Sequence, residues 1–176
     1  CCVPLDPTLP VERLASMLAI ARCPVVVADG RSERLVGTIL ALLPVEVPQP
    51  CTVRIDACAL APDVAASPTE PSTPEPGDDH RAYILFTSGS TGVPKGVEMP
   101  VAPLANLVAW QCRRSVVGPG ARTIQFASAG FDVSFQEIFS TWLSGGELVI
   151  VPEALRLDPA ALLETVMDHG VDRLFV

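Results

Sequence analysis

Lysine is almost missing from this 176-residue chain, because Lys95 is the only one and every other basic residue is an arginine. The chain has 12 basic and 20 acidic residues, which gives a net charge of -8 and a pI near 4.6. Phosphate backbones of nucleic acids reward clusters of Lys and Arg, and the sequence contains no such cluster. We therefore expect no nucleic-acid partner.

Other residue types that define common sites are also scarce. The six cysteines show no C-x-x-C pairing and no companion histidine, so we expect no metal site. The histidines, His80 in a proline-rich stretch and His169 at a predicted helix end, do not suit a Ser-His-Asp triad. No apolar run approaches the ~20 residues of a membrane span. Without a signal peptide or a dense disulfide framework, a cytoplasmic location is expected.

Short apolar runs alternate with segments of helical period along the chain. This alternation is typical of βα units, so the predicted fold class is α/β with a mostly parallel sheet and flanking helices. The predicted strands cover residues 25–27, 82–86, 123–127, 148–151 and 174–176. Five helices are predicted: the first follows Pro10, the second spans about 33–43, and the third includes Leu104 to Val108. The fourth has one core face, formed by Phe135, Ile138, Phe139, Trp142 and Leu143. The fifth runs from the N-cap Asp158 to Gly170.

The length suggests one domain over residues 1–176, interrupted by a segment of low apolar content. This segment, at about residues 61–80, is rich in proline and is predicted to be a surface loop or a linker within the domain. The chain starts without Met and stops inside the apolar run 174–176. We therefore expect a piece of a longer protein.

The most informative segment is the loop after the predicted strand 82–86. Residues 87–96 read TSGSTGVPKG. Glycines let the backbone approach a ligand closely, hydroxyl and backbone N–H groups donate hydrogen bonds, and Lys95 adds a positive charge. Such a loop is suited to bind a polyphosphate. It is not a Walker A loop, because Lys95 stands between Pro94 and Gly96. The alternative interpretation is a flexible Ser/Gly linker.

This loop resembles the phosphate-binding signature of the adenylate-forming (AMP-binding) superfamily, which includes acyl-CoA synthetases, luciferases and the adenylation domains of nonribosomal peptide synthetases. The resemblance implies contact with the phosphates of ATP, with Lys95 near the departing pyrophosphate. It also implies that the chain is part of the large N-terminal domain of the adenylate-forming fold. The phosphate-binding residues carried over are Thr87, Ser88, Gly89, Ser90, Thr91, Gly92 and Lys95.

A second motif, FDVSFQEIF at residues 131–139, resembles the amino-acid-activating branch of the superfamily. The matching aspartate of that branch pairs with the α-ammonium group of the substrate, and this role transfers to Asp132. From the residues alone, the N-cap of the following helix is the favoured role of Asp132, and only the resemblance of both motifs favours substrate contact instead. Ser134 and Glu137 offer a separate capping box, so the helix has another candidate for its start.

Two further residues of the second motif are carried over. Val133 and Gln136 lie three residues apart, on a helix face different from the predicted core face. The resemblance implies that both line the pocket for the substrate's side chain, with the Gln136 amide offered to a polar or aromatic group. A weaker match at residues 3–18 is similar to the segment around the first helix of these domains.

The function implied is that of an ATP-dependent ligase that activates an amino acid to an aminoacyl adenylate and releases pyrophosphate. The implied cofactors are ATP and Mg²⁺, and the implied partner is a peptidyl carrier protein with a phosphopantetheine arm. The family's magnesium-binding acid, ribose-binding aspartate, catalytic lysine and small mobile C-terminal domain have no match here, so we name no catalytic residue and expect little activity from the chain alone.

Two alternatives remain at this point. An acyl-CoA or fatty-acyl ligase shares the phosphate loop but has no use for a carboxylate at Asp132. The second alternative is an inactive domain that serves for docking, which should not bind ATP even in a full-length context.

Overall fold

The computed structural model describes residues 1–56, 80–88 and 92–175. The chain divides into two compact units, a first unit of Cys1–Glu98 and a second unit of Met99–Val176. The proline-rich segment predicted at residues 61–80 lies outside the described residues, except for His80.

The first unit alternates helices with strands. Its elements are α1 (Val11–Ala21), β1 (Val25–Ala28), α2 (Glu33–Ala41), β2 (Cys51–Arg54), β3 (Arg81–Ser88) and β4 (Pro94–Pro100), which contains the boundary between the units. Strands β1 and β2 pair in parallel, with Val25 opposite Cys51, and β3 pairs with β4. The strands predicted at 25–27 and 82–86 are confirmed, as are the first two helices.

The core of the first unit lies between α1, α2 and β1. Helix α1 follows Pro10, as predicted, and ends at Arg22, which takes a left-handed conformation (φ 49°) and donates its N–H to the Leu18 carbonyl. The apolar face of α1 packs on the apolar face of α2, which is how amphipathic helices bury their periodic stripes. The buried core residues are Leu14, Ala15, Met17, Leu18, Val26, Ala28, Val36, Ile39, Leu43 and Val47.

The second unit repeats the alternation around another parallel strand pair. Its elements are α3 (Val101–Arg114), β5 (Arg122–Gln125), α4 (Asp132–Leu143), β6 (Glu147–Ile150), α5 (Glu153–Arg156) and α6 (Pro159–Asp168). Strand β5 pairs in parallel with β6, and α4 is the crossover that such a pair requires. The α/β class with parallel pairing is therefore confirmed. In the described part of the chain, no helix is long and apolar enough to cross a membrane.

The buried face of α4 differs from the predicted one. Phe135 is buried, but Phe139, Trp142 and Leu143 are 37%, 59% and 73% exposed, so the predicted apolar core face is wrong. The residues that α4 buries are Ser134, Phe135, Glu137, Ser140 and Thr141. This mostly polar face can be buried because Glu137, Ser134 and Thr141 bond to backbone groups beside them, which replaces the hydrogen bonds they would make with water.

The ends of α6 agree with the prediction. The Asp158 carboxylate is the N-cap and accepts hydrogen bonds from the N–H groups of Ala160 and Ala161, both at 3.1 Å. Pro159 is the first helical residue, and Gly170 follows the helix with a φ of 56°. Such caps satisfy backbone groups that a helix end leaves without partners.

The strand predicted at residues 174–176 is not formed. Arg173 makes a single parallel bridge to Thr123 of β5, and Leu174 and Phe175 belong to no strand, while Val176 lies outside the described residues. The segment still contacts β5 through the hydrogen bond from the Ile124 N–H to the Arg173 carbonyl (3.0 Å). The predicted strand is therefore wrong for the described residues of this segment, which contact β5 only through Arg173.

Candidate active site

The predicted phosphate loop joins β3 to β4 in the first unit. Thr87 and Ser88 are the exposed last residues of β3, and Lys95 is the second residue of β4. The Thr87 hydroxyl donates to the Lys95 carbonyl at 3.5 Å, so the strand pair holds the two sides of the loop together. Three of the predicted phosphate-binding residues, Gly89, Ser90 and Thr91, lie outside the described residues.

The glycines around this loop are required by the backbone. Gly92 has a φ of 80°, in the left-handed region that residues with a Cβ rarely adopt. A Cβ on Gly96 would lie 3.2 Å from Cγ2 of Ile84 and 3.3 Å from the Phe86 ring. The β4 backbone therefore packs closely against side chains of β3. This contact fixes the base of the loop.

The charges at the base of the loop leave Lys95 available to an anion. Arg81 pairs with Glu98 at 2.6 Å, so the acidic residue of β4 is already engaged. The Lys95 side chain is exposed, and no carboxylate within the described residues forms an ion pair with it. A lysine ammonium in this setting is a mobile point charge suited to a phosphate.

Asp132 is the first residue of α4 in the second unit. Its neighbour Phe131 has the extended backbone of an N-cap (φ -114°, ψ 147°), so the alternative interpretation of Asp132 as the cap is wrong. The exposed Asp132 carboxylate accepts a hydrogen bond from the Val133 N–H at 2.9 Å. The N-terminal end of a helix carries partial positive charge and stabilises an anionic side chain.

The predicted capping box at this helix start is also wrong. Ser134 lies inside the helix, and its hydroxyl donates to the Phe131 carbonyl at 2.7 Å, whereas a capping serine stands before the helix and accepts from a backbone N–H. Glu137 does not reach back to Ser134. Its carboxylate is fully buried against the end of β5, where it accepts hydrogen bonds from the N–H groups of Phe126 (3.2 Å) and Ala127 (3.1 Å).

Burial raises the pKa of the Glu137 carboxyl, because the charged form loses water. Hydrogen bonds from Ala127, Phe126 and Gln125, and the charge of Arg156, act in the opposite direction but do not cancel the effect of burial. The raised pKa means that the charged carboxylate is less stable in this buried position than in water, so burying Glu137 costs free energy of folding. The sequence offered no signal for this burial, because at helical spacing Glu137 lies opposite the predicted apolar face of this helix.

The two predicted pocket residues differ in what they contact. Val133 is half-buried. The Gln136 amide Nε2 donates to Oε1 of Gln111 on α3 at 3.0 Å, and this contact orients the end of the Gln136 side chain. Sequence reasoning did not find Gln111, since nothing in the pattern of α3 shows which of its polar residues faces α4.

The structure therefore brings the predicted residues together in two groups. Thr87, Ser88, Gly92 and Lys95 lie around one strand pair in the first unit, and Asp132, Val133 and Gln136 lie on the first two turns of α4 in the second unit. Neither group includes a histidine or a cysteine pair, and the first group has no carboxylate of its own.

Comparison with known sequences gives matches over nearly the whole chain. A family model described as AMP-binding enzyme matches residues 1–176. Tyrocidine synthase 2 of Brevibacillus parabrevis is 38% identical over 172 residues, which are 98% of this chain and 4% of that protein. The nonribosomal peptide synthetase easA of Emericella nidulans is 33% identical over 162 residues, which are 92% of this chain and 2% of that protein. The chain thus spans a small part of these relatives.

Solved structures share the fold of the chain. The nonribosomal peptide synthetase FmoA3, bound to alpha-methyl-L-serine-AMP, superposes with a TM-score of 0.74 at 29% identity, over 96% of this chain and 17% of that one. The Vibrio cholerae adenylation domain AlmE, in complex with glycyl-adenosine-5'-phosphate, gives a TM-score of 0.75 at 21% identity, over 98% of this chain and 34% of that one. This second likeness shows the fold alone. Both agree with the predicted N-terminal part of an adenylate-forming fold.

Proposed function

The chain belongs to the AMP-binding enzyme family of adenylate-forming ligases, and from this premise we propose that it serves to activate an amino acid with ATP to an aminoacyl adenylate. The observation that carries the proposal is the Asp132 carboxylate, exposed at the first residue of α4. An exposed carboxylate can accept a charge-assisted hydrogen bond from an ammonium group, which an amino acid has and a fatty acid lacks.

The residues around β3 and β4 fit a triphosphate. Thr87 and Ser88 present hydroxyl donors at the end of β3, Gly92 allows the turn, and Lys95 supplies a positive charge that would stabilise pyrophosphate as it leaves. We propose that Gly89, Ser90 and Thr91 complete this set. ATP, when bound, supplies the AMP group to which the substrate's carboxylate becomes linked.

We assign no Mg²⁺ ligand to this chain, although the proposed reaction would use Mg²⁺-bound ATP. Hard cations prefer carboxylate and other oxygen ligands. The described residues of the loop offer hydroxyls and an ammonium group, and the carboxylate of Glu98 is paired with Arg81. The donors that this loop shows are suited to phosphate oxygens, not to the metal.

The proposed amine anchor explains how an amino acid would be preferred. The carboxylate of Asp132 already accepts one hydrogen bond from the Val133 N–H, and the helix N-terminus stabilises its negative charge. An ammonium group bound there forms a charge-assisted hydrogen bond, worth about 1.5–3 kcal/mol. Val133 and Gln136, on the same helix turns, would then contact the side chain of the substrate.

The relatives support an amino-acid substrate. FmoA3, at 29% identity, is bound to the adenylate of an amino acid, alpha-methyl-L-serine-AMP. Both FmoA3 and easA are named as nonribosomal peptide synthetases, and peptides are made from amino acids. On this basis we further propose that the activated acid is passed to a peptidyl carrier protein with a phosphopantetheine arm.

The test is ATP–pyrophosphate exchange by the full-length product of the gene that encodes this chain, against a panel of amino acids and fatty acids. Asp132→Ala is compared with Asp168→Ala, which removes another exposed aspartate of the second unit. We expect exchange with an amino acid, a loss of roughly 10- to 100-fold in Asp132→Ala from the missing charged hydrogen bond, and wild-type exchange in Asp168→Ala.

Other outcomes of the exchange assay would indicate a different function for this chain. Exchange with fatty acids that is indifferent to Asp132 would assign the chain to the acyl-ligase branch and end the proposal of an amine anchor. A folded full-length product that neither binds ATP nor exchanges pyrophosphate with any acid would favour an inactive docking domain.

A further inference from the structure

Glu137 is a fully buried acid to which the proposed function gives no role. It lies on α4, five residues after Asp132, and its side chain is 0% exposed. Isolated carboxylates are costly to bury and are retained where hydrogen bonds compensate for the lost water. The partners of this carboxylate indicate what it does.

The partners are concentrated at the carboxyl end of β5. Oε1 accepts from the N–H groups of Phe126 (3.2 Å) and Ala127 (3.1 Å). Oε2 accepts from the Ala127 N–H and from the Gln125 side chain, both at 3.2 Å. One carboxylate therefore satisfies the backbone of the residues that leave the strand, and it does so from the neighbouring helix.

A basic side chain completes the cluster. Gln125, between the two charged groups, accepts from Nη2 of Arg156 at 2.9 Å through its other amide atom. Arg156 on α5 in turn pairs with the exposed Glu153. The buried negative charge of Glu137 is thus connected through one amide to a positive charge, an arrangement in which partners support each other in a low-dielectric interior.

This cluster fixes one end of the segment that leads to Asp132. Between Ala127 and α4, the Phe131 N–H donates to the Ser128 carbonyl at 2.9 Å, and the Ser134 hydroxyl holds the Phe131 carbonyl at 2.7 Å. The segment is therefore held at its strand end by Glu137 and at its helix end by Ser134. Asp132 follows it directly, so its position depends on both ends.

We propose that Glu137 is a positioning residue: it fastens the carboxyl end of β5 to α4 and thereby sets the place at which Asp132 meets the ammonium group of the substrate. This inference rests on the proposed function, since it assumes that Asp132 binds that group. It assigns Glu137 no contact with substrate or ATP. Its effect should therefore fall on amino-acid binding and leave nucleotide binding nearly unchanged.

The experiment measures amino-acid-dependent ATP–pyrophosphate exchange by the full-length gene product with Glu137→Gln. This change preserves size but turns one acceptor oxygen into a donor that faces backbone N–H groups. We expect the KM for the amino acid to rise roughly tenfold or more, as for the loss of a hydrogen bond to a charged group, and the KM for ATP to change less than about twofold. Ser140→Ala, at another fully buried polar position of α4, is the matched control and should behave as wild type.

A second variant covers the case in which Glu137→Gln does not fold. Gln125→Met removes the link between Glu137 and Arg156, together with the hydrogen bond from the Gln125 amide to the Ala127 carbonyl. It does not leave the carboxylate unpaired, because the two backbone N–H donors remain. We expect the same selective rise in the KM for the amino acid, of roughly threefold, which is the lower range for a single hydrogen bond.

The outcomes separate this inference from the function on which it rests. If the wild type shows no amino-acid-dependent exchange, the proposed function fails, and the inference fails with it. If the wild type exchanges and Asp132→Ala is impaired, but Glu137→Gln or Gln125→Met has wild-type constants, the inference alone is overturned. Equal rises in KM for the amino acid and for ATP would overturn it too, because they would show a general structural role.

Discussion

Gly146, between α4 and β6, has no room for a side chain. A Cβ there would lie 2.3 Å from the Ala121 carbonyl oxygen and about 3 Å from two atoms of Thr141. That carbonyl accepts the Glu147 N–H that begins the pairing of β6 with β5. Because the closest atom belongs to the backbone, a methyl group cannot be accommodated by turning a side chain, and the strand itself must move.

The expected cost of Gly146→Ala is about 3 kcal/mol in the free energy of unfolding, at the upper end of the range for overpacking. The neighbouring Gly145→Ala is the matched control. Gly145 has a φ of 69° but nothing within 4 Å of an added Cβ. Its replacement should therefore cost only the strain of a left-handed residue, about 1 kcal/mol. The two glycines are neighbours, but their replacements destabilise the protein in different ways, by steric contact at Gly146 and by backbone strain at Gly145.

Urea unfolding of the 176-residue chain, followed by tryptophan fluorescence, measures this difference. Both tryptophans, Trp110 and Trp142, lie in the second unit, so the signal reports the unit that contains both glycines. We expect the midpoint of Gly146→Ala to fall well below that of Gly145→Ala, with equal slopes for both. A Gly145→Ala variant that is as unstable as Gly146→Ala would show that the contact with the Ala121 carbonyl does not determine the cost.

Two further predictions concern ligand contacts. Lys95→Ala in the full-length product should raise the KM for ATP in pyrophosphate exchange by roughly tenfold, through the loss of a charged hydrogen bond. The control Arg34→Ala, which removes another exposed positive charge, should leave this KM unchanged. Equal effects of the two variants would point to net charge as the cause. For Gln111 and Gln136, a double-mutant cycle with alanine, scored on the KM for the amino acid, should give a coupling of about 1 kcal/mol from their 3.0 Å hydrogen bond. Strictly additive effects would show that Gln111 does not orient Gln136.

The pattern of the sequence predicted the elements well where local chemistry decides them. The helix bounded by Asp158 and Gly170 was found with its caps, because the capping aspartate, the first-turn proline and the terminal glycine act within their own chain segment. The parallel strand pairs followed from the alternation of apolar runs and helices.

The pattern failed where tertiary contacts decide. Apolar periodicity predicted that Phe139 and Trp142 face the core, but α4 turns toward β5 the face that carries Glu137, since the backbone at the end of that strand needs an acceptor. The predicted capping box is wrong for the same reason, because Glu137 bonds to the backbone at the end of β5 and not to the start of its own helix. The pairing of Gln111 with Gln136 depends on how α3 packs against α4, which no local pattern contains.

The candidate site was predicted from motif resemblance more than from physical pattern. Composition and spacing alone indicated a phosphate-binding loop at residues 87–96, and this stays a prediction; of its glycines, Gly92 has a positive φ and Gly96 packs closely on β3. The role of Asp132 came from resemblance. The structure removes the competing interpretation of that residue as a helix cap, and its contact with an amino acid stays a prediction.

The most direct test of the proposed amine anchor compares the preferred amino acid with its analogue that lacks the α-amino group, in pyrophosphate exchange by wild type and by Asp132→Ala. We expect the wild type to discriminate against the analogue by roughly 10- to 100-fold in kcat/KM, and most of this discrimination to disappear in the variant, because the carboxylate and the ammonium group form one interaction. Equal discrimination by the two proteins would rule out Asp132 as the amine anchor, since it would show that some other residue recognises the amine.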